Sequence, residues 1–125
     1  MNRTTLHSFS LLLLRVSFSG MLLMHGIPKL MKLLSADLSF ADPIGIGAPA
    51  SLLLAIIGEV VFPILVIIGF KTRWTAIPVI LTMGVAAFLH HANDPFAAKE
   101  MALLYMIGFI TIALLGPGRF SLDKK

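Results

Sequence analysis

Apolar residues fall along this chain in long runs broken by short polar stretches. A helix that crosses a bilayer needs about 20 predominantly apolar residues, with a range of about 17–25. Four segments meet or approach that length, at about 8–34, 49–70, 74–91 and 95–115. The separators carry turn chemistry. "SADLSFADPIGIGAP" is polar and rich in Gly and Pro, and "GFKTR" is a tight basic turn. "HHANDPF" offers Asn93 or Asp94 as an N-cap with Pro95 at the first helical position. Gly116, Pro117 and Gly118 stop the last helix. The pattern predicts an all-α, integral membrane, four-helix up-down bundle, a single domain over residues 1–125. Small residues at Gly20, Gly26, Ala55, Gly58, Gly84, Ala87 and Gly108 would let the helix backbones approach.

Composition agrees with this class. The 125 residues are 58% hydrophobic and 13% charged, with a mean hydropathy of +0.95. Average soluble domains are about 45–50% apolar and about 25% charged. The chain has no cysteine, which excludes disulfides, thiolate metal sites and thiol redox chemistry by this chain. A net charge of +4 could suggest nucleic acid, but no basic stripe interleaved with aromatics supports a nucleic-acid partner.

The charges instead sort by side. Arg3, Lys71, Arg73, Arg119, Lys124 and Lys125 gather on one side, and Lys29, Lys32 and Lys99 on the other with Asp37, Asp42, Asp94 and Glu100. The excess of positive charge predicts that both termini and the 71–73 turn are cytoplasmic, with Trp74 at the interface. Arg15 interrupts the first apolar run and no A-x-A-like site follows, so that segment is expected to be a retained anchor rather than a cleaved signal peptide.

Ionisable groups within spans cost about 2.5–3.5 kcal/mol each on insertion scales, so their positions are informative. They form two tiers. Glu59 lies roughly 16 Å and Arg15 roughly 10 Å from the cytoplasmic edge, taking 1.5 Å per residue. The long guanidinium stem can cover that difference, which predicts an Arg15–Glu59 ion pair between the first two helices. Such a pair could serve only to fix helix register. Pro63 has no N–H to give the carbonyl of Glu59, so a carboxylate and a freed carbonyl share one turn. Both must face protein or water.

The outer tier lies at the opposite mouth. His25 and Lys29 are one turn apart and share a face. His90 and His91 end the third helix at the same level, Lys99 and Glu100 begin the fourth, and Tyr105 lies about 8 Å deeper on it. Lysines near span ends commonly snorkel to the interface. Glu100 and His25 cannot, which points to a shared polar site. Metal binding is not expected. No close pair of histidines at ligand spacing is present, and adjacent histidines on a helix point about 100° apart.

In order along the chain, "HGIPKL", "DPIGIG", Glu59, "GFKTRWTA", "HHANDPFAAKEMALLY" and "GPGRFSLD" closely resemble the DoxX family of small bacterial membrane proteins. The resemblance covers nearly the whole chain. It implies a multi-pass protein of the bacterial inner membrane, in a family commonly labelled as oxidoreductases and related to the DoxD subunit of a thiosulfate:quinone oxidoreductase. The positions that carry over are His25, Lys29, Glu59, Lys99 and Glu100.

Three functions compete at this level. The first is a quinone-linked oxidoreductase subunit with a polar site at the periplasmic mouth. In it His25, Lys29, Glu59 and Glu100 handle protons, and His25, Lys29, His90, His91, Lys99 and Tyr105 contact the ligand. No cofactor is bound covalently, quinone is the candidate cofactor, and electrons come from a redox partner protein. The second is a non-catalytic anchor or assembly factor in a redox or stress-response complex. The third is a small-molecule or proton permease, which four spans without an inverted repeat support least unless the protein forms a homo-oligomer.

Overall fold

A computed structural model describes residues 2–123. Lys124 and Lys125, counted above with the basic side, lie outside the described residues. Four helices are long and apolar enough to cross a membrane: α1 (Arg3–Leu34), α2 (Ala48–Ile68), α3 (Thr72–His90) and α4 (Phe96–Leu115). No strand occurs among the described residues. The helices alternate in direction, with α1 packed on α2 and α4, and α3 packed on α2 and α4. The start of α1 and residues 116–123 therefore meet at one end of the bundle, called here the tail end. The 35–47 loop and the 91–95 turn form the other, open end.

The first helix shows why the bundle closes as it does. The side chain of Asn2 accepts from the Thr5 N–H at 2.8 Å and starts the helix. Its buried residues are Ser8, Leu11, Arg15, Ser19, Leu22 and Gly26, spaced three or four apart along one stripe. Four of the six are polar or glycine. The outward faces carry Leu13, Met24 and Met31. Polar groups turn inward and apolar groups outward, as lipid on the outside requires.

A contiguous apolar core lies toward the tail end. Val66, Ala76, Val79, Phe109 and Ile112 are buried there, and Leu22 and Met83 continue the same core toward the open end. The tail then folds back over this core. Leu122 N–H donates to Ile68 O and Asp123 N–H to Gly69 O. The Asp123 carboxylate accepts from the N–H groups of Lys71 and Thr72 and from Thr72 Oγ1. It therefore caps α3 from about fifty residues away in sequence.

Two helices depart from regular geometry. A π-helical turn occupies Ile57–Val61 of α2 and a second occupies Ala86–His90 of α3. The turn in α2 puts Glu59 in the interior, and Pro63 follows, fully buried. Close approaches form beside this turn. A Cβ on Gly26 would stand 2.4 Å from the Glu59 carbonyl oxygen, and one on Gly58 would overlap Thr82 of α3. Gly20, by contrast, faces open space and makes no helix contact of the expected kind.

The four helices overlap the four apolar segments, α1 beginning at Arg3 rather than near residue 8, and the capping of the fourth differs from the expectation. The fourth helix begins at Phe96 after Pro95, without a side-chain cap. Asp94 instead pairs with His91 Nδ1 at 2.8 Å.

Candidate functional site

The expected Arg15–Glu59 pair does not form. Arg15 is fully buried, but its guanidinium points toward the tail end and donates to four carbonyl oxygens. Nε reaches Pro117 at 3.0 Å, Nη1 reaches Val66 at 3.0 Å and Ile67 at 2.6 Å, and Nη2 reaches Phe120 at 2.5 Å. The physical reason is the supply of acceptors. The last carbonyls of α2 have no intrahelical donors, and the fold-back of the tail adds two more. A planar fork of five N–H groups suits that set better than one distant carboxylate.

Glu59 pairs with Lys29 instead. The Lys29 Nζ lies 2.6 Å from both carboxylate oxygens. The Glu59 side chain is 6% exposed and that of Lys29 28%. The pair bridges α1 and α2 where Gly26 lets the two backbones meet. Phe40 of the 35–47 loop lies over the same ammonium, its ring centroid 6.0 Å away.

The pair opens onto a cavity of about 560 Å³ in the open half of the bundle. Its walls are apolar for the most part, with Leu22, Leu54, Leu81, Met83 and Met101 contributing from all four helices. Residues 40–44 of the first loop cover one side. The polar side chains that reach it are His25, Lys29, Ser51, Glu59, Thr82, His90, His91 and Tyr105. His25 meets Tyr105 edge to face at 5.9 Å, and Tyr105 meets Phe18 the same way at 6.3 Å. The rings of His90 and His91 are 4.5 Å apart.

Lys99 and Glu100 do not join this set. The residues of α4 that line the cavity are Ala98, Met101, Ala102 and Tyr105, a stripe spaced three or four apart. Lys99 and Glu100 fall off that stripe, at about 100° per residue; Glu100 is exposed and Lys99 half-buried. His25, Lys29, Glu59, Tyr105, His90 and His91 are thus brought together. Arg15, Lys99 and Glu100 are not. No group of three His, Cys, Asp or Glu side chains suited to a metal ion occurs among the described residues.

Two features of the site escape sequence reading. One is the pair of π turns, both of which border the cavity; Pro63 after Glu59 is the one local sign of the first. The other is the role of Asp42. Its carboxylate accepts from the N–H groups of Ile46 and Gly47 and from Ser51 Oγ, closing the turn that brings Phe40 to Ile44 over the cavity. These bonds, that from Ser51 foremost, hold the Asp42 carboxyl below its ordinary pKa. Asp42, Ser51 and "DPIGIG" are the visible trace of this turn.

Comparison with known proteins places this architecture. The family model described as DoxX matches residues 10–92. The chain belongs to the DoxX family. Inner membrane protein YphA of Escherichia coli (strain K12) is 32% identical over 127 residues, covering 92% of this chain and 89% of that protein. An uncharacterized protein of Haemophilus influenzae is 31% identical over 124 residues, covering 94% and 90%. Inner membrane protein YqjF of E. coli is 35% identical over 88 residues, covering 62% and 64%. No solved structure matches. With four candidate spans and relatives of this kind, this DoxX protein is a multi-pass inner membrane protein.

Proposed function

We propose that this DoxX protein is the quinone-binding subunit of a membrane redox assembly, with the head group held in the open-end cavity. The observation that carries the reading is the convergence of His25, Tyr105 and the Lys29–Glu59 pair on one largely apolar cavity of about 560 Å³. Small-molecule sites commonly span about 300–1,000 Å³ and place a few polar groups in an apolar wall. A quinone asks for that combination: apolar surface for the ring and tail, and hydrogen-bond donors for two carbonyl oxygens.

The residues divide the work. Tyr105 and His25 stand side by side and can donate to a carbonyl oxygen. Lys29 and Glu59 bring an exchangeable proton to the cavity wall, with the pair neutral as a unit when ionised. His90 and His91 stand toward the open end and can relay protons from water. Reduction of a quinone takes two electrons and two protons, and the electrons come from a partner protein or a reduced substrate.

A through-channel fits less well. Below the cavity the core closes on Val66, Val79, Phe109 and Ile112, and Arg15 ties α2 to the tail beneath it.

The test is titration of the protein in lipid nanodiscs with short-tailed ubiquinone and menaquinone analogues. Saturable binding is expected, weakened roughly tenfold by Tyr105→Phe or His25→Ala, since one net hydrogen bond is worth about 0.5–1.5 kcal/mol. Absence of saturable binding, alone or with copurifying proteins, would overturn the proposal. An anchor without chemistry would tolerate both substitutions.

A further inference from the structure

The tail end carries a second concavity, of about 950 Å³, where the start of α1, the start of α3 and the folded-back tail meet. His7, Lys71, Arg73, Trp74 and Arg119 line it. Three cations thus face the one carboxylate of Asp123, whose oxygens already accept from Lys71 N–H, Thr72 N–H and Thr72 Oγ1. The groove is therefore net positive among the described residues.

The backbone holds these cations in place. Lys71 takes a left-handed conformation, φ 47°, and the Asp123 cap pins the tail to that turn. Gly116, at φ 86°, packs against the Arg73 guanidinium, where a Cβ would stand 3.1 Å from one Nη. Arg73 and Arg119 make no hydrogen bond or ion pair among the described residues. Trp74 beside them is 74% exposed.

Charge bias alone would set the orientation of the chain in the bilayer. That role asks only for cations near the ends of spans. It does not ask them to converge on one groove or to leave two guanidinium forks without partners among the described residues. A guanidinium presents its N–H groups in the geometry of phosphate oxygens. Trp74 stands where an indole sits at head-group level, and Leu11 and Leu115 supply apolar wall below it.

We infer that this groove is a binding site for the phosphate of an anionic phospholipid. Arg73 and Arg119 take the phosphate oxygens, Lys71 adds charge at the rim, and Trp74 packs on the glycerol and the first part of the acyl chains. The site is separate from the open-end cavity and does not depend on what that cavity holds.

Native mass spectrometry of the full chain tests this, with phosphatidylglycerol and phosphatidylcholine supplied at equal concentration. The wild-type protein is expected to retain phosphatidylglycerol about tenfold over phosphatidylcholine, the scale of one charge-assisted hydrogen bond. The Arg73→Gln/Arg119→Gln variant should lose that preference, and Arg119→Gln alone should lose part of it. Arg3→Gln, which removes a cation outside the groove, should keep it. Equal retention of the two lipids by the wild-type protein would overturn the site, as would an unchanged preference in the double variant. If inorganic phosphate at millimolar concentration displaces phosphatidylglycerol from the wild-type protein, the groove is a free-anion site and the lipid assignment falls.

Discussion

Replacement of Lys29 by Met gives the sharpest test of the site's electrostatics. The Glu59 carboxylate has both oxygens 2.6 Å from the Lys29 ammonium and a side chain only 6% exposed. Removing one partner of such a pair leaves a buried charge uncompensated, at a cost of about 3–5 kcal/mol. Arg15 cannot take over, because its donors are engaged by Pro117, Val66, Ile67 and Phe120. Lys29→Met should therefore destabilise by a figure near the middle of that range, tempered by the 28% exposure of the lysine side chain. The double variant Lys29→Met/Glu59→Gln removes both charges and should recover most of the loss.

Equilibrium unfolding in mixed micelles reads this as a double-mutant cycle. The expected coupling between Lys29 and Glu59 is about 2 kcal/mol or more, within the range for residues sharing one ion pair. A second cycle, Arg15→Met with Glu59→Gln, should be additive within about 0.5 kcal/mol, since the two residues share no partner. Zero coupling in the first cycle, or large coupling in the second, would refute the pairing and return Arg15 to the role that sequence reasoning gave it.

Other outcomes follow from single contacts. Arg15→Lys should be nearly as damaging as Arg15→Met, each costing about 3–5 kcal/mol, because an ammonium cannot serve four carbonyls spread around a fork; the same unfolding assay measures it. Gly26→Ala should cost about 1–3 kcal/mol as an overpacked contact, because the atom it meets is the Glu59 backbone carbonyl, and it should also weaken ligand binding at the adjacent pair. Asp42 has a folded-state pKa below its unfolded one, so its contribution is present above the unfolded value of about 3.9 and is lost as pH falls through the folded value. Protection of the Ile46 and Gly47 amides from hydrogen exchange, measured against the intrinsic rate at each pH, should therefore fall only in acid, and Asp42→Asn should flatten that dependence.

The membrane class, the four spans and the turns at 69–73 and 116–118 were legible because they rest on local signals: run length, glycine at left-handed positions, and proline. The site was legible in part for the same reason. His25 and Lys29 share a helical face whatever they pack against, and Tyr105 follows the inward stripe of its helix. Arg15 was misassigned because depth along a helix axis was used in place of direction. A guanidinium at a given level can reach up toward Glu59 or down toward the end of α2. The deciding acceptors come from the tail, whose fold-back no local pattern announces. Lys99 and Glu100 were placed at the right level but on the wrong faces, since level is set by topology and facing by the rotation of α4. The π turns at Ile57–Val61 of α2 and Ala86–His90 of α3 shift the facing of residues within those two helices, so no regular 3.6-residue pattern follows through them.

The two ends of the bundle handle the same difficulty in opposite ways. Each must dispose of carbonyls that regular helices would leave unpaired, since lipid offers no donors. At the tail end a buried arginine and a returning segment satisfy them, and the result is a solid core. In the open half Pro28 withholds a donor within α1, the π turns shift the register, and the loop segment at Phe40 and Ile44 covers the space without filling it. A bundle that needed only to stay folded could have closed both ends alike. Both π turns border the cavity, and polar residues face into it, while beneath it the interior closes on Val66, Phe109 and Ile112. That asymmetry describes a blind pocket. It favours holding a molecule over passing one across the bilayer, and it locates access at the open end or in the gaps between the helices around it.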